Sequence, residues 1–534
     1  MSMSLAGMKR SPAVHTKGIR STALGIAGIA TLLVILTIGD PGITVDEPLD
    51  VRPGRTYISA LRSRGIHFFD REVVDQVFRD NSEHPPLGRW LLGIASTMGE
   101  PFEILAKGGP DPVGIYVVAG RLAPALIFGL MVGLVSLESG RRYGRVAGLS
   151  AGFALLIMPR MFAHAHIAAL DTFIAFFWVL ALLAALKAVE GNQPTFGMLF
   201  AGLAWGLALL TKIHAWFLPP IVLAWCLLHL RPRRALLVWS LWLISGLTIF
   251  FAGWPWLWAD PVGRLGAYLV TGIERVSIRV LYFGTVYQDR DVPWHYPWFY
   301  LLTTIPVGLL AIGILGAVRG PAERKLERYA LFLVGSIAFF PLIFSTNVPV
   351  YDCERLFLVS FPILAILVGR GFAFLWEHAT SWSRYVLVFL LLGQSYGILA
   401  FHPFGLSYYN LLVGGLPGAE RLGLELTYWG DTVDGPLLNR LAELAQEGQS
   451  VALAPTLAPD QGKVVTTRRL ARIPIVIQDQ DYTDRSDWLL VSRRSAYWTD
   501  EVRSRLESDP LVMTRSKQGV WLSKLIGPRI LKKP

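Results

Sequence analysis

The chemistry-bearing side chains stand at a few points in a chain otherwise poor in charge. Asp46 and Glu47 are adjacent. In a partly dry cleft their pKa values would be pushed apart, leaving a general base or a cation site. An isolated Asp-Glu in a loop is more often a solvated pair. His84 precedes Pro85 and Pro86, whose fixed backbone places it at the entry to an amphipathic helix that also carries Arg89. This is either a rigid turn or a hydrogen-bond donor held beside a phosphate. Asp171 lies within Ala168-Ala169-Leu170-Asp171-Thr172-Phe173, with His164 and His166 just upstream. An ionisable residue in an apolar segment is costly and marks function by default, although Asp also caps helices and suits the positive end of the helix dipole. The two histidines would point apart on a helix, so no metal site is expected.

Lys212, in Thr211-Lys212-Ile213-His214, ends an apolar run on the side opposite to the general positive-charge trend and wants a negative partner. Arg355 follows Tyr351-Asp352-Cys353-Glu354 and heads another apolar run. A guanidinium there is a natural phosphate clamp, or half of an ion pair with Asp352 or Asp171. Trp254-Pro255-Trp256-Leu257-Trp258 reads as an interfacial aromatic belt or as a surface on which a sugar ring stacks.

What must position these groups is a membrane-embedded helical frame. Of 534 residues 53% are hydrophobic and only 17% are charged, well short of the quarter usual in soluble domains. Runs of about 20 apolar residues are long enough to cross a bilayer. Eleven are expected, at 21–39, 113–137, 146–163, 168–187, 197–210, 215–230, 235–253, 296–318, 329–346, 355–374 and 384–401. The run 197–210 is shorter than a bilayer needs. The formal charge of +11 lies largely in short loops, at 141–145, 231–234 and 319–328, which all fall on one side and hold it in the cytoplasm. The N-terminus is then cytoplasmic and the C-terminus outside. No aromatic–basic module of the kind that binds nucleic acid is present. Cys226 lies in an apolar run and Cys353 in a polar loop, so no disulfide is expected.

Two long outer loops, 40–112 and 254–295, interrupt the core at 1–401, and the first contains amphipathic stretches at 53–66 and 87–98 that suit a membrane surface. In 402–534 short apolar runs such as Val451–Ala454 and Trp488–Val491 alternate with charged helical patterns. This predicts a small extracytoplasmic α/β domain. Asp46, Glu47, His84, Asp171, Lys212 and Arg355 all fall at the outer boundary in this topology. Carboxylates and cations on one face suit a reaction that activates a hydroxyl and releases an anionic leaving group.

The order and spacing of these pieces resemble the GT-C glycosyltransferases, specifically the protein O-mannosyltransferase and aminoarabinose transferase branch. The resemblance rests on Asp46-Glu47 in a long first outer loop, His84-Pro85-Pro86-Leu87, Ala-Leu-Asp171-Thr, Thr211-Lys212, Trp254-Pro255-Trp256 and Tyr351-Asp352-x-x-Arg355. Ser407-Tyr-Tyr-Asn410, Gly414-Gly-x-Pro-Gly and Tyr428-Trp-Gly-Asp431 are similar to a bacterial subgroup. It implies a GT-C core and inverting transfer of a sugar from a polyprenyl-phosphate carrier to an acceptor hydroxyl on a protein, lipid or polysaccharide. It also implies a bacterial inner membrane and no cofactor. It makes Asp46 the base, with Glu47 orienting it or holding the acceptor and Asp171 assisting at the sugar or acceptor. Lys212 and Arg355, with His84, neutralise the phosphate; Arg89, Tyr351 and Trp254 contact substrate. Cys353 stands where the resemblance implies Gly. A transporter or flippase of lipid-linked substrates would use the same charges as a path, but such proteins show repeated halves and helices broken at mid-membrane, and this sequence shows neither.

Overall fold

In the computed structural model the described residues are 12–79, 83–107, 110–111, 113–273, 276–319, 324–346, 348–458, 461–462, 464–465, 476–478 and 480–529. The expected loop 319–328 lies partly outside them. Seven described helices are long and apolar enough to cross a membrane: Lys17–Leu36, Val117–Tyr143, Asp171–Glu190, Pro232–Gly253, Leu326–Phe344, Ser360–His378 and Ser381–Phe401. Tyr296–Thr303 and Val307–Val318 form a pair bent by 107°. Three apolar helices are shorter, Arg145–Leu156, Pro194–Leu209 and Ile213–His229. Each of the eleven expected runs is therefore helical, but they divide into seven full-length helices, one elbow and three short pieces.

The elbow leaves backbone carbonyls without helical partners, and a distant side chain supplies them. The Asn410 side-chain amide donates to the carbonyls of Leu302 and Ile305, both at 2.7 Å. The Ser407–Asn410 motif thus fastens the segment after the last long helix onto the bend. Outward faces are apolar: Leu24, Leu32, Leu36, Phe389 and Leu399 are exposed, as lipid contact requires.

Two helices outside the candidate spans, Asp46–Arg64 and Leu87–Lys107, contain the two amphipathic stretches. They cross backbone to backbone. A Cβ on Gly54 would overlap the Arg89 carbonyl oxygen, and one on Gly93 would overlap the Gly54 carbonyl. Only glycine at both positions permits this approach.

Near the C-terminus five strands form one sheet, in order β4-β3-β5-β7-β6: β3 Ser450–Ala454, β4 Val476–Gln478, β5 Trp488–Ser492, β6 Leu511–Lys517 and β7 Val520–Ile526. β3 pairs in parallel with β4 and β5, whereas β7 runs antiparallel to β5 and β6. β1 Arg279–Tyr282 and β2 Thr285–Gln288 form a hairpin in the second long outer loop. Helices Gly435–Leu444 and Asp500–Ser508 complete the α/β unit. Residues 402–431 pack differently from the expected domain. Phe404, Tyr409, Leu416, Tyr428 and Trp429 join the main core, and the core of the unit itself begins at Val433 and Leu437.

Candidate active site

The segment before the helix Asp46–Arg64 is tied to the Tyr428–Asp431 motif by main-chain bonds, Val45 N–H to the Trp429 carbonyl at 3.1 Å and Gly42 N–H to the Asp431 carbonyl at 2.8 Å. These place the start of the helix Asp46–Arg64 beside Trp429. Asp46 and Glu47 occupy its first turn, where carboxylates favour the helix dipole, yet they face different surroundings. Glu47 is fully buried. It accepts two bonds from Arg121, at 2.6 and 2.8 Å, and backbone bonds from Thr44 and Ala168 at 2.8 and 2.9 Å. Arg121 also donates to the carbonyls of Ile38, Pro41 and Gly42. Glu47 is thus saturated inside the protein, and it orients the helix whose first residue is Asp46.

Asp46 lines a cavity of about 450 Å³ together with Asp50, His84, Arg89, Lys212, Tyr351, Asp352, Arg355, Trp429 and Arg494. Lys212 has extended backbone in the break between the helix Pro194–Leu209 and the turn Ile213–Phe217. Its Nζ meets Asp171 Oδ1 at 2.7 Å, the negative partner it wanted. Asp171 opens the helix Asp171–Glu190, and its second oxygen lies 3.3 Å from Arg355 Nε. Arg355 also bonds Asp352 at 3.0 Å and Asp46, with its guanidinium 4.2 Å from the centre of the Trp429 ring. The ion-pair reading of Arg355 holds, and its guanidinium also lines the cavity.

The turn that carries Arg355 is built under constraint. Asp352 and Cys353 have φ of 55° and 59°, the left-handed region that favours Gly and is costly for two successive side-chain-bearing residues. This accounts for the Gly implied at 353. The turn is held because Tyr296 Oη accepts from Cys353 N–H at 2.9 Å and buried Arg160 bonds Glu354 at 2.8 Å. Cys353 and Cys226 are both buried free thiols.

Sequence reasoning passed over four residues here. Asp50 lies one helical turn after Asp46 and bonds Arg89 Nε at 3.0 Å; that spacing was the available signal. Burial, with Asp46 adding to it, lifts the Asp50 carboxyl to about 6 against the pull of Arg89. Arg160 could have been noticed as a charge inside an apolar run. Trp429 lay within a quoted motif, but its place under Arg355 had no local sign, and neither did that of Arg494.

His84 lines the cavity, yet desolvation and the nearby Arg89, Lys212 and Arg355 push its imidazole well below the ordinary value. Trp254 does not line the cavity. It is buried against Trp256 and Tyr268, with ring centres 5.4 and 5.2 Å away, so its indole fills the packing between the helix Pro232–Gly253 and the outer loop. No group of three metal-ligating side chains occurs among the described residues.

Comparisons with known proteins bear on the sequence and the fold. Residues 113–258 match the family model described as dolichyl-phosphate-mannose-protein mannosyltransferase. Over 360 residues, 65% of the chain, the sequence is 27% identical to undecaprenyl phosphate-alpha-4-amino-4-deoxy-L-arabinose arabinosyl transferase 2 of Pseudomonas fluorescens (strain Pf0-1). The match spans 59% of that relative's length. The fold is similar to the crystal structure of ArnT from Cupriavidus metallidurans in the apo state, with TM-score 0.51, 14% identity, and coverage of 94% of this chain and 97% of that one. The chain is an integral membrane protein.

Proposed function

We propose, on the premise that the chain belongs to the GT-C glycosyltransferases of the protein O-mannosyltransferase and aminoarabinose transferase branch, that it moves a sugar from a polyprenyl-phosphate carrier to an acceptor hydroxyl. The observation that carries this reading is one cavity in which a candidate base, Asp46, shares Arg355 with Asp171, while Lys212 backs Asp171. The curated relative is named for transfer from an undecaprenyl phosphate sugar, which supports the carrier class. The cavity opens on the extracytoplasmic side of a bacterial inner membrane, with the N-terminus cytoplasmic.

The acceptor O–H gives its proton to the Asp46 carboxylate as its oxygen attacks the anomeric carbon. The bond from that carbon to the phosphate oxygen breaks, and its electron pair leaves with the polyprenyl phosphate. Attack opposite the leaving group inverts the configuration. The leaving group is already good, so positioning, a base and cations where charge develops are sufficient. Arg355 is bonded to one oxygen of the Asp46 carboxyl group. A donor phosphate competes with Asp46 for the guanidinium. Binding of donor therefore releases the base at the moment it is needed. Lys212 stays with Asp171 as the second cation, and neutral His84 donates a hydrogen bond. No cofactor is required.

Membranes containing the protein, incubated with radiolabelled polyprenyl-phosphate sugars, test the reading. Label should leave the lipid and enter an acceptor with wild type and not with Asp46→Asn. Label kept on the lipid but moved across the bilayer would instead make the protein a flippase.

A further inference from the structure

The α/β unit places one of its own side chains in the cavity. Arg494 follows β5, at the start of the loop leading into the turn Ser495–Tyr497, and is buried. Its Nη2 meets Asp352 Oδ1 at 2.9 Å, and its Nη1 donates to the Tyr428 carbonyl. The other Asp352 oxygen accepts from Arg355 at 3.0 Å. The ions form an unbroken chain: Arg494, Asp352, Arg355, Asp171 and Lys212. The same loop grips the second outer loop, for Arg279 N–H donates to Tyr497 Oη at 2.9 Å. Asp352 needs such support, since its left-handed backbone persists only where the surroundings over-determine it.

Resting on the reading above, we infer that Arg494 is a positioning residue for the donor phosphate. It fixes Asp352, and through it the aim of Arg355 into the cavity, so that the α/β unit completes the site. Without Arg494 the Asp352 carboxylate is free to turn and draw Arg355 out of line. The role acts through Asp352, so the two residues must be energetically coupled.

The test uses the full chain in detergent, with undecaprenyl phosphate as probe and undecaprenol as the phosphate-free control, read by quenching of the protein's tryptophan fluorescence. Arg494→Ala should raise the Kd for undecaprenyl phosphate about tenfold and leave undecaprenol binding unchanged. In an Asp352→Asn background the same substitution should add less than about twofold. Added guanidinium should restore much of the lost affinity to Arg494→Ala. Should that variant not fold, Arg494→Met, which keeps the aliphatic stem, gives the same reading. An unchanged Kd, or an effect that simply adds to that of Asp352→Asn, would overturn the inference and leave the carrier reading standing. Wild-type protein that binds undecaprenol as tightly as undecaprenyl phosphate would overturn the carrier reading itself.

Discussion

Arg355 and Asp46 lie 309 positions apart in the chain and are joined directly, Nη2 to Oδ2. The contact brings the first outer loop to the turn before the helix Ser360–His378. It also means that the candidate base and the candidate phosphate clamp are engaged with each other.

Asp46→Asn removes the base while keeping its shape. Transfer should fall by about 10²–10⁴-fold, with the detergent-extracted protein eluting as wild type. Activity within a few-fold of wild type would remove Asp46 from the role.

Lys212→Ala leaves Asp171 still paired with Arg355 but deletes a cation from the cavity wall. The donor KM should rise about tenfold, a change worth about 1.4 kcal/mol, with a smaller change in kcat. Steady-state kinetics with the donor varied would check this, and an unchanged KM would argue against a phosphate contact.

Asp50 gives the site a pH dependence of known sign. Its carboxyl, lifted to about 6 by burial, is ionised above that value and then neutralises Arg89. Lowering the pH through about 6 protonates Asp50 and leaves the cavity one unit more positive. A sugar-phosphodiester donor, which stays anionic throughout, should therefore bind more tightly as the pH falls through this window. Asp50→Asn should bind well at both ends and show no step.

Glu47 and Arg121 are both fully buried. Glu47→Ala strands a guanidinium, and breaking such a pair costs about 3–5 kcal/mol. The thermal unfolding midpoint in detergent should drop clearly, and by more than it does for Asp46→Asn.

The two tryptophans should separate. Trp429→Ala removes the ring 4.2 Å from the Arg355 guanidinium, a contact worth about 0.5–2 kcal/mol, and should raise the donor KM. Trp254→Phe should lower the unfolding midpoint and leave that KM alone.

Much of this arrangement is readable from local signals. Eleven apolar runs become helices because span-length hydrophobicity needs no tertiary information, and Asp171, Lys212 and Arg355 are conspicuous as charges at the ends of such runs. Which charges meet is a different matter. The pairing of Glu47 with Arg121 and of Asp352 with Arg494 depends on how distant elements dock, and nothing in the windows around them carries that. The same limit applies to Trp254, since an interfacial tryptophan in a sequence looks alike whether it greets a sugar or seals a helix. The packing of residues 402–431 was hidden for a related reason. The stretch to Asp431 is short of long apolar runs, yet its aromatic residues are spent on the membrane core.

The glycine contact between Gly54 and Gly93 has a mechanical result. It welds the two surface helices into a single tray, with Asp46 and Asp50 on one plank and Arg89 on the other. The close approach fixes the spacing of the carboxylates from Arg89. A larger side chain at either glycine would split the planks, and the cavity would lose its alignment without losing a single charged group.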